Sequence, residues 1–246
     1  MKSGTLLTFI LAAGFSLASA QDRQQAFAIT GQVNGNFNWT DIRGIDMATG
    51  NARQLYFENG KSKFSFKDAE TKKNVEQFTV SGAPAQLPVP NGIIGASKVT
   101  VSNITPTSLR SAAMAYDKRN DKLFFASMHT GKLMWLDLRS GAETPAFYTI
   151  EKNLVNNEDY TNEAFNITRM TIGADGNGYA LSNDGKHFIR FTTGKKTIVS
   201  NMGSLLDAEN NNIVSIHNQC SSWGGDMVAD AFGNYICSPH FKIFLK

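Results

Sequence analysis

The sequence has little of what defines several protein classes. It contains two cysteines in 246 residues, too few for a disulfide-rich scaffold or a zinc motif built from paired Cys-x-x-Cys ligands. No apolar run approaches the roughly 20 residues that a membrane-spanning helix needs. The formal net charge is +3 and no basic block stands out, so neither nucleic acid nor an anionic membrane is expected as a partner.

Amphipathic helical periodicity is almost absent as well. Short runs rich in Phe, Val, Ile, Thr and Tyr recur instead, separated by Gly, Asn and Asp. This pattern predicts strands joined by turns, so the chain is predicted to be all-β. Examples of the predicted strands are 27–30, 77–80, 98–101, 122–125, 132–135 and 188–191.

Residues 1–20 have the form of a signal peptide. Lys2 gives a positive start, 6–15 is a short apolar region, and Ala18-Ser19-Ala20 fits the small-x-small cleavage rule. We expect cleavage before Gln21 and one exported domain over 21–246, in the periplasm or outside the cell. The alternative is an apolar N-terminal helix of the folded domain.

An internal repeat organises the rest of the chain. Asn120, Asn177 and Asn234 are spaced 57 residues apart, and each follows a run of small or apolar residues and precedes a hydrophobic one. In each copy a strand is predicted to enter a turn that carries Asp, Gly or Asn, and a second strand to leave it. A regular spacing of this kind is the signature of a repeat architecture.

A second turn signature, Asp-x-x-Thr/Ser followed by Gly or Lys, recurs between these copies. An Asp in this position accepts backbone N–H groups of the turn, and the following Gly supplies a left-handed position. Hairpins with strands on both sides are predicted there. The three copies are 46–50, 68–72 and 137–141, and Thr193-Gly194 is a degenerate fourth.

Together the two signatures give a unit of about four strands, which resembles a blade of a β-propeller. The loops resemble those of exported bacterial propellers of the NHL and gluconolactonase types. The resemblance covers 107–240 well and 27–82 more loosely. It implies four-stranded antiparallel blades in a complete or partial propeller, and its motifs specify architecture rather than activity.

The stretch 173–185 (GADGNGYALSNDG) contains residues that could be taken for a calcium loop. An EF-hand loop needs oxygen ligands at positions that are apolar here, around Tyr179 to Leu181. A dinucleotide-binding turn needs a following helix, whereas a strand is predicted. We therefore predict two turns that flank a short strand.

About four blades can be counted, and the final run 241–246 is predicted to be a third strand without a fourth. Two hypotheses account for this. Residues 27–58 could supply outer strands that complete the last blade, or the sequence could be part of a longer propeller, truncated at its C-terminal side. The spacing favours truncation, which would leave strand edges exposed.

Propellers bind ligands where the innermost strand of each blade begins. Alignment on the three asparagines places Ala112, Arg169 and Asp226 near those starts. The alternative is that Arg169 and Asp226 form a salt bridge between blades and that Trp223 packs there. With the loops just upstream, the candidate ligand-binding residues are Asn162, Glu163, Arg169, His217, Trp223 and Asp226.

A lactonase-type propeller site would gather several carboxylates and asparagines on a divalent metal. Asp226, Glu163 and Asn162 are the candidates here, which is a thin set. No Gly-x-Ser-x-Gly elbow occurs, so we assign no catalytic residue and expect no metal or cofactor. Cys220 and Cys237 either form a disulfide, which export would permit, or Cys237 is a buried small hydrophobe.

Three functions remain open. The first is a non-enzymatic binding or scaffold module that uses the channel mouth and loop face to hold a protein, a glycan or a small polar ligand. The second is a metal-assisted hydrolase or lactonase of the propeller type. The third is a purely structural component of the cell envelope.

Overall fold

The computed structural model describes residues 25–30, 40–81, 98–102, 111–128, 130–141, 143–155, 162–207, 209, 215–217, 225–238 and 243–245. These residues form strands and two short 3₁₀ turns, with no α-helix among them, so the all-β prediction is confirmed. Nothing in these ranges forms an apolar helix of the length required to cross a bilayer.

The first sheet is antiparallel and contains β1 (Gln25–Thr30), β2 (Asp41–Asp46) and β3 (Ala52–Phe57). We call it blade 1. The next strand along the chain, β4 (Ser65–Asp68), does not join this sheet. A separate two-stranded antiparallel sheet follows, with β5 (Gln77–Ser81) and β6 (Lys98–Ser102).

Blade 2 is an antiparallel meander with an additional outer strand. Its register runs through the pairs Tyr116–Leu123 and Phe124–Trp135. The strand β4 pairs with its outermost strand in parallel, with Phe66 opposite Phe147. The four meander strands are β7 (Ser111–Asp117), β8 (Lys122–Ser127), β9 (Lys132–Asp137) and β10 (Ala146–Asn153).

Blade 3 is a four-stranded antiparallel meander, and blade 4 has three antiparallel strands among the described residues. The strands of blade 3 are β11 (Ile167–Ile172), β12 (Gly178–Ser182), β13 (Phe188–Phe191) and β14 (Val199–Gly203). The strands of blade 4 are β15 (Asp226–Ala229), β16 (Tyr235–Ser238) and β17 (Ile243–Leu245).

The first strands of successive blades lie side by side. Strand β11 contacts both β7 and β15, and β1 contacts β7. Three apolar layers fill the spaces between neighbouring blades. Phe57 and Phe125 belong to the layer between blades 1 and 2, Phe124 and Phe191 to the next, and Leu181 and Met227 to the third. Blades stacked around their first strands are the arrangement of a β-propeller.

This stacking explains two strands that do not alternate between apolar and polar residues. Every residue of β8 and β12 is buried. In β8, Leu123 and Phe125 enter one layer while Phe124 and Ala126 enter the other. A strand packed on both faces needs apolar residues on both, so its sequence is a continuous hydrophobic run.

The three repeated asparagines occupy equivalent hairpin turns, as the 57-residue register predicts. In each turn the asparagine Nδ2 donates to an aspartate Oδ2, and its backbone N–H donates to Oδ1 of the same carboxylate. The Nδ2–Oδ2 distances are 2.6 Å for Asn120–Asp117, 2.6 Å for Asn177–Asp175 and 2.7 Å for Asn234–Asp230.

The Asp-x-x-Thr/Ser turns occur at all three positions, and paired strands flank those at 46–50 and 137–141, whereas only the isolated bridge Lys67–Asn74 follows the turn at 68–72. Asp68 Oδ1 accepts the N–H groups of Glu70 and Thr71, at 3.1 and 2.6 Å. The residue after the turn has a positive φ in all three copies, 71° at Gly50, 61° at Lys72 and 78° at Gly141. Glycine adopts this conformation without a Cβ penalty, so Lys72 is the strained member of the set.

The stretch 173–185 is a strand between two turns. Gly178–Ser182 is β12, and Gly176 and Gly185 take positive φ in the flanking turns. In the first turn Asp175 accepts hydrogen bonds from Asn177 and from the Tyr179 hydroxyl. The carboxylate is therefore used within the turn itself.

Among the described residues, 27–58 do not pair with the strands of the last blade, contrary to one of the two hypotheses. Strands β1–β3 pair with one another beside blade 2, and β17 pairs with β16. The run 243–245 is the third strand of blade 4, as predicted. Truncation remains a prediction.

Candidate functional site

Arg169, a predicted ligand-binding residue, is enclosed within the fold. It lies on β11, and its side chain is fully buried. Its Nη1 donates to the Ser182 carbonyl oxygen at 3.3 Å. Burial lowers the pKa of Arg169, an effect that nearby Cys237 opposes. Because Cys237 belongs to the layer between blades 3 and 4, this guanidinium is enclosed between blades.

Asn162 and His217 are held by backbone groups. Asn162 caps the 3₁₀ turn Glu163–Phe165, and its side chain accepts the Ala164 N–H at 3.1 Å. The His217 ring lies between two carbonyl oxygens, with Nδ1 at 2.6 Å from that of Asp184 and Nε2 at 3.0 Å from that of Leu205. Asn162 therefore stabilises the turn that follows it, and His217 links its own loop to the backbone at Asp184 and Leu205.

Asn162, Glu163 and Asp226 are the exposed members of the predicted set among the described residues. Asp226 begins β15, and its Oδ1 accepts the Met227 N–H at 2.7 Å. Trp223 lies outside the described residues. Within the ranges that are described, no three His, Cys, Asp or Glu side chains gather where they could hold one metal ion. Among these predicted residues, the Glu163 and Asp226 carboxylates are exposed and the Arg169 side chain is buried, and their role in binding stays a prediction.

Cys237 is a free thiol that is fully buried in the layer between blades 3 and 4. Burial raises the pKa of Cys237 to about 11, an effect that Arg169 opposes. This agrees with the alternative that Cys237 is a small buried hydrophobe. Its proposed disulfide partner, Cys220, lies outside the described residues.

A concave site that the sequence did not predict lies elsewhere, between the outer strands of blades 2 and 3. This cleft has a volume of about 640 Å³. Volumes of roughly 300–1,000 Å³ are usual for small-molecule sites. We call it the lysine cleft, and its lining residues are Asp68, Ala69, Glu70, Lys72, Trp135, Ile150, Lys152, Lys195, Lys196, Thr197 and Val199.

One wall of the lysine cleft belongs to blade 2. The turn after β4 brings Lys72 to the cleft, where its Nζ donates to the Ala69 carbonyl oxygen and lies 5.2 Å from the centre of the Tyr148 ring. The Tyr148 ring stacks on Trp135 with centres 5.6 Å apart and planes 19° apart. This wall therefore combines aromatic surface with positive charge.

The opposite wall is the 192–198 turn between β13 and β14. Thr192 closes this turn, since its hydroxyl donates to the Lys196 carbonyl oxygen at 2.7 Å and accepts the Ile198 N–H at 2.9 Å. Lys195 and Lys196 are exposed at its tip. Lys152 reaches across from β10, and its Nζ donates to the Val199 carbonyl oxygen at 3.3 Å.

The charges in the lysine cleft favour an anion. Four ammonium groups face two carboxylates, and one of these carboxylates is already engaged. Burial alone would raise the pKa of Asp68, but hydrogen bonds from Thr71 and Glu70 outweigh it and hold that pKa below its usual value. The Asp68 carboxylate is therefore ionised and occupied within its own turn. An anionic ligand with an apolar ring would find both attractive charge and apolar surface here.

Similarity to known proteins is confined to solved structures; no family model matches the chain, and no curated protein matches it significantly. A streptogramin B lyase structure is 11% identical with a TM-score of 0.37, covering 87% of this chain and 61% of that one. Virginiamycin B lyase from Staphylococcus aureus is 11% identical with a TM-score of 0.39, covering 83% and 58%. A luciferin-regenerating enzyme is 12% identical with a TM-score of 0.33, covering 80% and 63%.

The chain thus spans about three fifths of the length of these solved structures. At identities near 10% and TM-scores below 0.5, the likeness carries no argument about activity. The propeller assignment rests on the four sheets, their adjacent first strands and the three apolar layers between them.

Proposed function

We propose that this chain is an exported, non-enzymatic binding module that holds an anionic ligand in the lysine cleft. The signal-peptide form of residues 1–20 supports export. The single observation that carries the binding function is the cleft itself, where four lysines and the Trp135 ring converge from blades 2 and 3. A propeller scaffold is suited to this because the sheets fix both walls.

The ligand class follows from the lining. Ammonium groups form charge-assisted hydrogen bonds with carboxylate, sulfate or phosphate oxygens. Ile150 is half-buried, and Trp135 and Val199 are 5% and 8% exposed, so the cleft offers a small apolar surface to the less polar face of a ring. An acidic saccharide of two or three units combines both properties and fits a cleft of this size. This ligand class lies within the glycan and small polar ligands expected from the sequence.

Isothermal titration with trigalacturonate tests the proposal, with neutral maltotriose as the uncharged probe of the same length. We expect trigalacturonate to bind and the affinity to fall as salt is added, because exposed charges are screened. Maltotriose should not bind measurably. Pyrophosphate in the same titration distinguishes a preference for phosphate from one for carboxylated sugar.

Two lysine pairs provide a matched comparison of variants. Lys195→Gln with Lys196→Gln removes two charges from the cleft and should weaken trigalacturonate binding by about tenfold or more. Lys63→Gln with Lys186→Gln removes two exposed charges that do not line the cleft, so its effect should stay within about twofold. Equal effects of the two pairs, or absence of binding by the unsubstituted protein, would overturn the proposal.

A further inference from the structure

Lys122 is a buried lysine that does not line the lysine cleft yet contacts both of its walls. It begins β8 in blade 2 and is 9% exposed. Its Nζ donates to the carbonyl oxygens of Thr193 and Gly194, at 2.9 and 3.0 Å. The same ammonium lies 5.2 Å from the centre of the Trp135 ring.

These contacts join blade 2 to the beginning of the 192–198 turn. Thr193 and Gly194 directly precede Lys195 and Lys196, the exposed lysines of the cleft. A neutral contact reinforces the junction, since Asn120 Nδ2 donates to Thr193 Oγ1 at 3.2 Å. The far end of the turn is tied to blade 2 by Lys152, through Val199.

A buried ammonium is stable only where acceptors replace the water that it has lost. Burial lowers the pKa of Lys122, and the nearby Asp117 opposes that effect. The two carbonyl oxygens are the acceptors that compensate the buried charge. Removing the ammonium while keeping the side chain's length would leave those carbonyls without this donor, and the turn would lose its attachment to blade 2.

We propose that Lys122 is a positioning residue for the lysine cleft: by holding Thr193 and Gly194 against blade 2, it fixes Lys195 and Lys196 where an anion binds. This rests on the proposed function, because the readout is binding in that cleft. Lys122 does not itself contact the ligand. Its effect on binding therefore passes through the two exposed lysines.

The test uses Lys122→Met, which keeps a long apolar side chain against Trp135 and provides no donor. Titration with trigalacturonate should show binding about five- to tenfold weaker than for the unsubstituted protein, as expected when charged hydrogen-bonding groups are displaced. Lys122→Arg, which retains a cationic donor for the two carbonyls, should recover most of the affinity. Lys186→Met is the matched exposed control and should bind unchanged.

A double-mutant cycle separates positioning from general destabilisation. In the Lys195→Gln, Lys196→Gln background, Lys122→Met should cause no further loss of affinity, because the groups it positions are gone. Amide hydrogen exchange should also be faster at 192–198 in Lys122→Met and unchanged in β8. If Lys122→Met does not fold, Lys122→Gln, which keeps one polar donor, replaces it in the same cycle.

The outcomes distinguish the two proposals. If the unsubstituted protein does not bind trigalacturonate, the proposed function fails and the role of Lys122 falls with it. If Lys195→Gln with Lys196→Gln weakens binding while Lys122→Met binds normally, the proposed function stands and the positioning role is overturned. Equal losses from Lys122→Met in both backgrounds would also overturn it.

Discussion

Blades 2 and 3 share their internal construction and differ at their outer edges. Each is a four-stranded meander whose first turn joins the repeated asparagine to a nearby aspartate. The outer strand of blade 2 is covered by β4 in parallel. In the parts of the chain that are described, no strand pairs with the outer side of β14 in blade 3, and Ile198 and Met202 are 55% and 61% exposed there.

The difference shows how a site can arise from a regular repeat. An uncovered strand is an association hazard, and covering it with another strand is one way proteins manage it. In blade 2 the end of the covering strand and the turn after it also form part of one wall of the lysine cleft. The residues concerned are Asp68, Ala69, Glu70 and Lys72. Blade 3 contributes the other wall through the 192–198 turn, which leads into its edge strand β14. The cleft therefore lies between the strand that covers blade 2 and a hairpin turn of blade 3.

The largest effect on stability is expected at Gly178 in blade 3. The 57-residue register makes this position equivalent to Asp121 in blade 2. A Cβ at Gly178 would overlap the ring of Phe191, and that ring is fully buried. Gly178→Ala should therefore lower the free energy of unfolding by about 2–4 kcal/mol, because overpacking has no room to relax. Urea denaturation measures the loss.

Gly194→Ala is the matched control for this substitution, since nothing lies within 4 Å of a Cβ at that position. Its effect on the free energy of unfolding should stay within about 0.5 kcal/mol. A Gly178→Ala protein as stable as Gly194→Ala would show that the two blades tolerate side chains equally at this register.

The repeated turns should differ in strength between the blades. Asp117 in blade 2 is buried, whereas the Asp175 side chain in blade 3 is 43% exposed. Asp117→Ala should cost about 2–3 kcal/mol of unfolding free energy, because it removes a buried carboxylate that accepts three hydrogen bonds from Arg119 and Asn120. Asp175→Ala should cost about 1 kcal/mol, since water can replace the lost acceptor. Equal losses in urea denaturation would contradict this.

Acid should weaken the turns of both blades. Burial alone would raise the pKa of Asp137 and of Asp175, but hydrogen bonds from Arg139 and from Asn177 and Tyr179 outweigh it and hold both below the usual 3.8. A depressed carboxyl pKa contributes stability that is fully present above the unfolded value and is lost as the pH falls through the folded value. Unfolding free energy should therefore fall below about pH 4.

Denaturation curves at several pH values between 2 and 7 measure this dependence. Asp137→Asn and Asp175→Asn should each reduce the slope with which unfolding free energy falls at acid pH, because each removes one of the titrating carboxylates. An unchanged slope in both variants would show that the acid sensitivity of unfolding free energy comes from other carboxylates.

The smallest expected effect is a gain in stability at Lys72. Lys72 has a φ of 61° where Gly50 occupies the same turn position, and the backbone N–H of each donates to the aspartate that begins its turn. Lys72→Gly should raise the free energy of unfolding by about 0.5 kcal/mol, since relief of the strain exceeds the lost contact with Tyr148. The reverse change, Gly50→Lys, should lower it by about 1 kcal/mol. Thermal melts of the two variants should move in opposite directions.

The parts of the fold that the sequence predicts are those set by local chemistry. Asn120, Asn177 and Asn234 mark the hairpin turns because each bonds a carboxylate within four residues. The Asp-x-x-Thr/Ser turns are predictable for the same reason. Neighbouring residues suffice to specify such turns, so a repeat of 57 residues can be found without knowing how the blades pack.

The site was harder to predict because it depends on contacts between distant segments. Alignment placed Arg169 on an inner strand correctly, but the direction of a side chain alternates along a strand and the aligned position did not reveal that this one is enclosed between blades. The lysines of the cleft come from three separate segments, so no local pattern joins them. The parallel pairing of β4 with β10 likewise has no signature in either strand.

That pairing also has a consequence for the order in which the molecule assembles. Ser65 lies opposite Ala146, so the contact closes a loop of roughly eighty residues, whereas the hairpins of blade 2 close after only a few. Distant closures of this kind are slow because the chain loses entropy before the contact compensates it. We expect the meander β7–β10 to form first and to serve as the template on which β4 docks. Pulsed hydrogen exchange during refolding should then protect Phe125 before Phe66, and the cleft would be the last surface of blade 2 to exist.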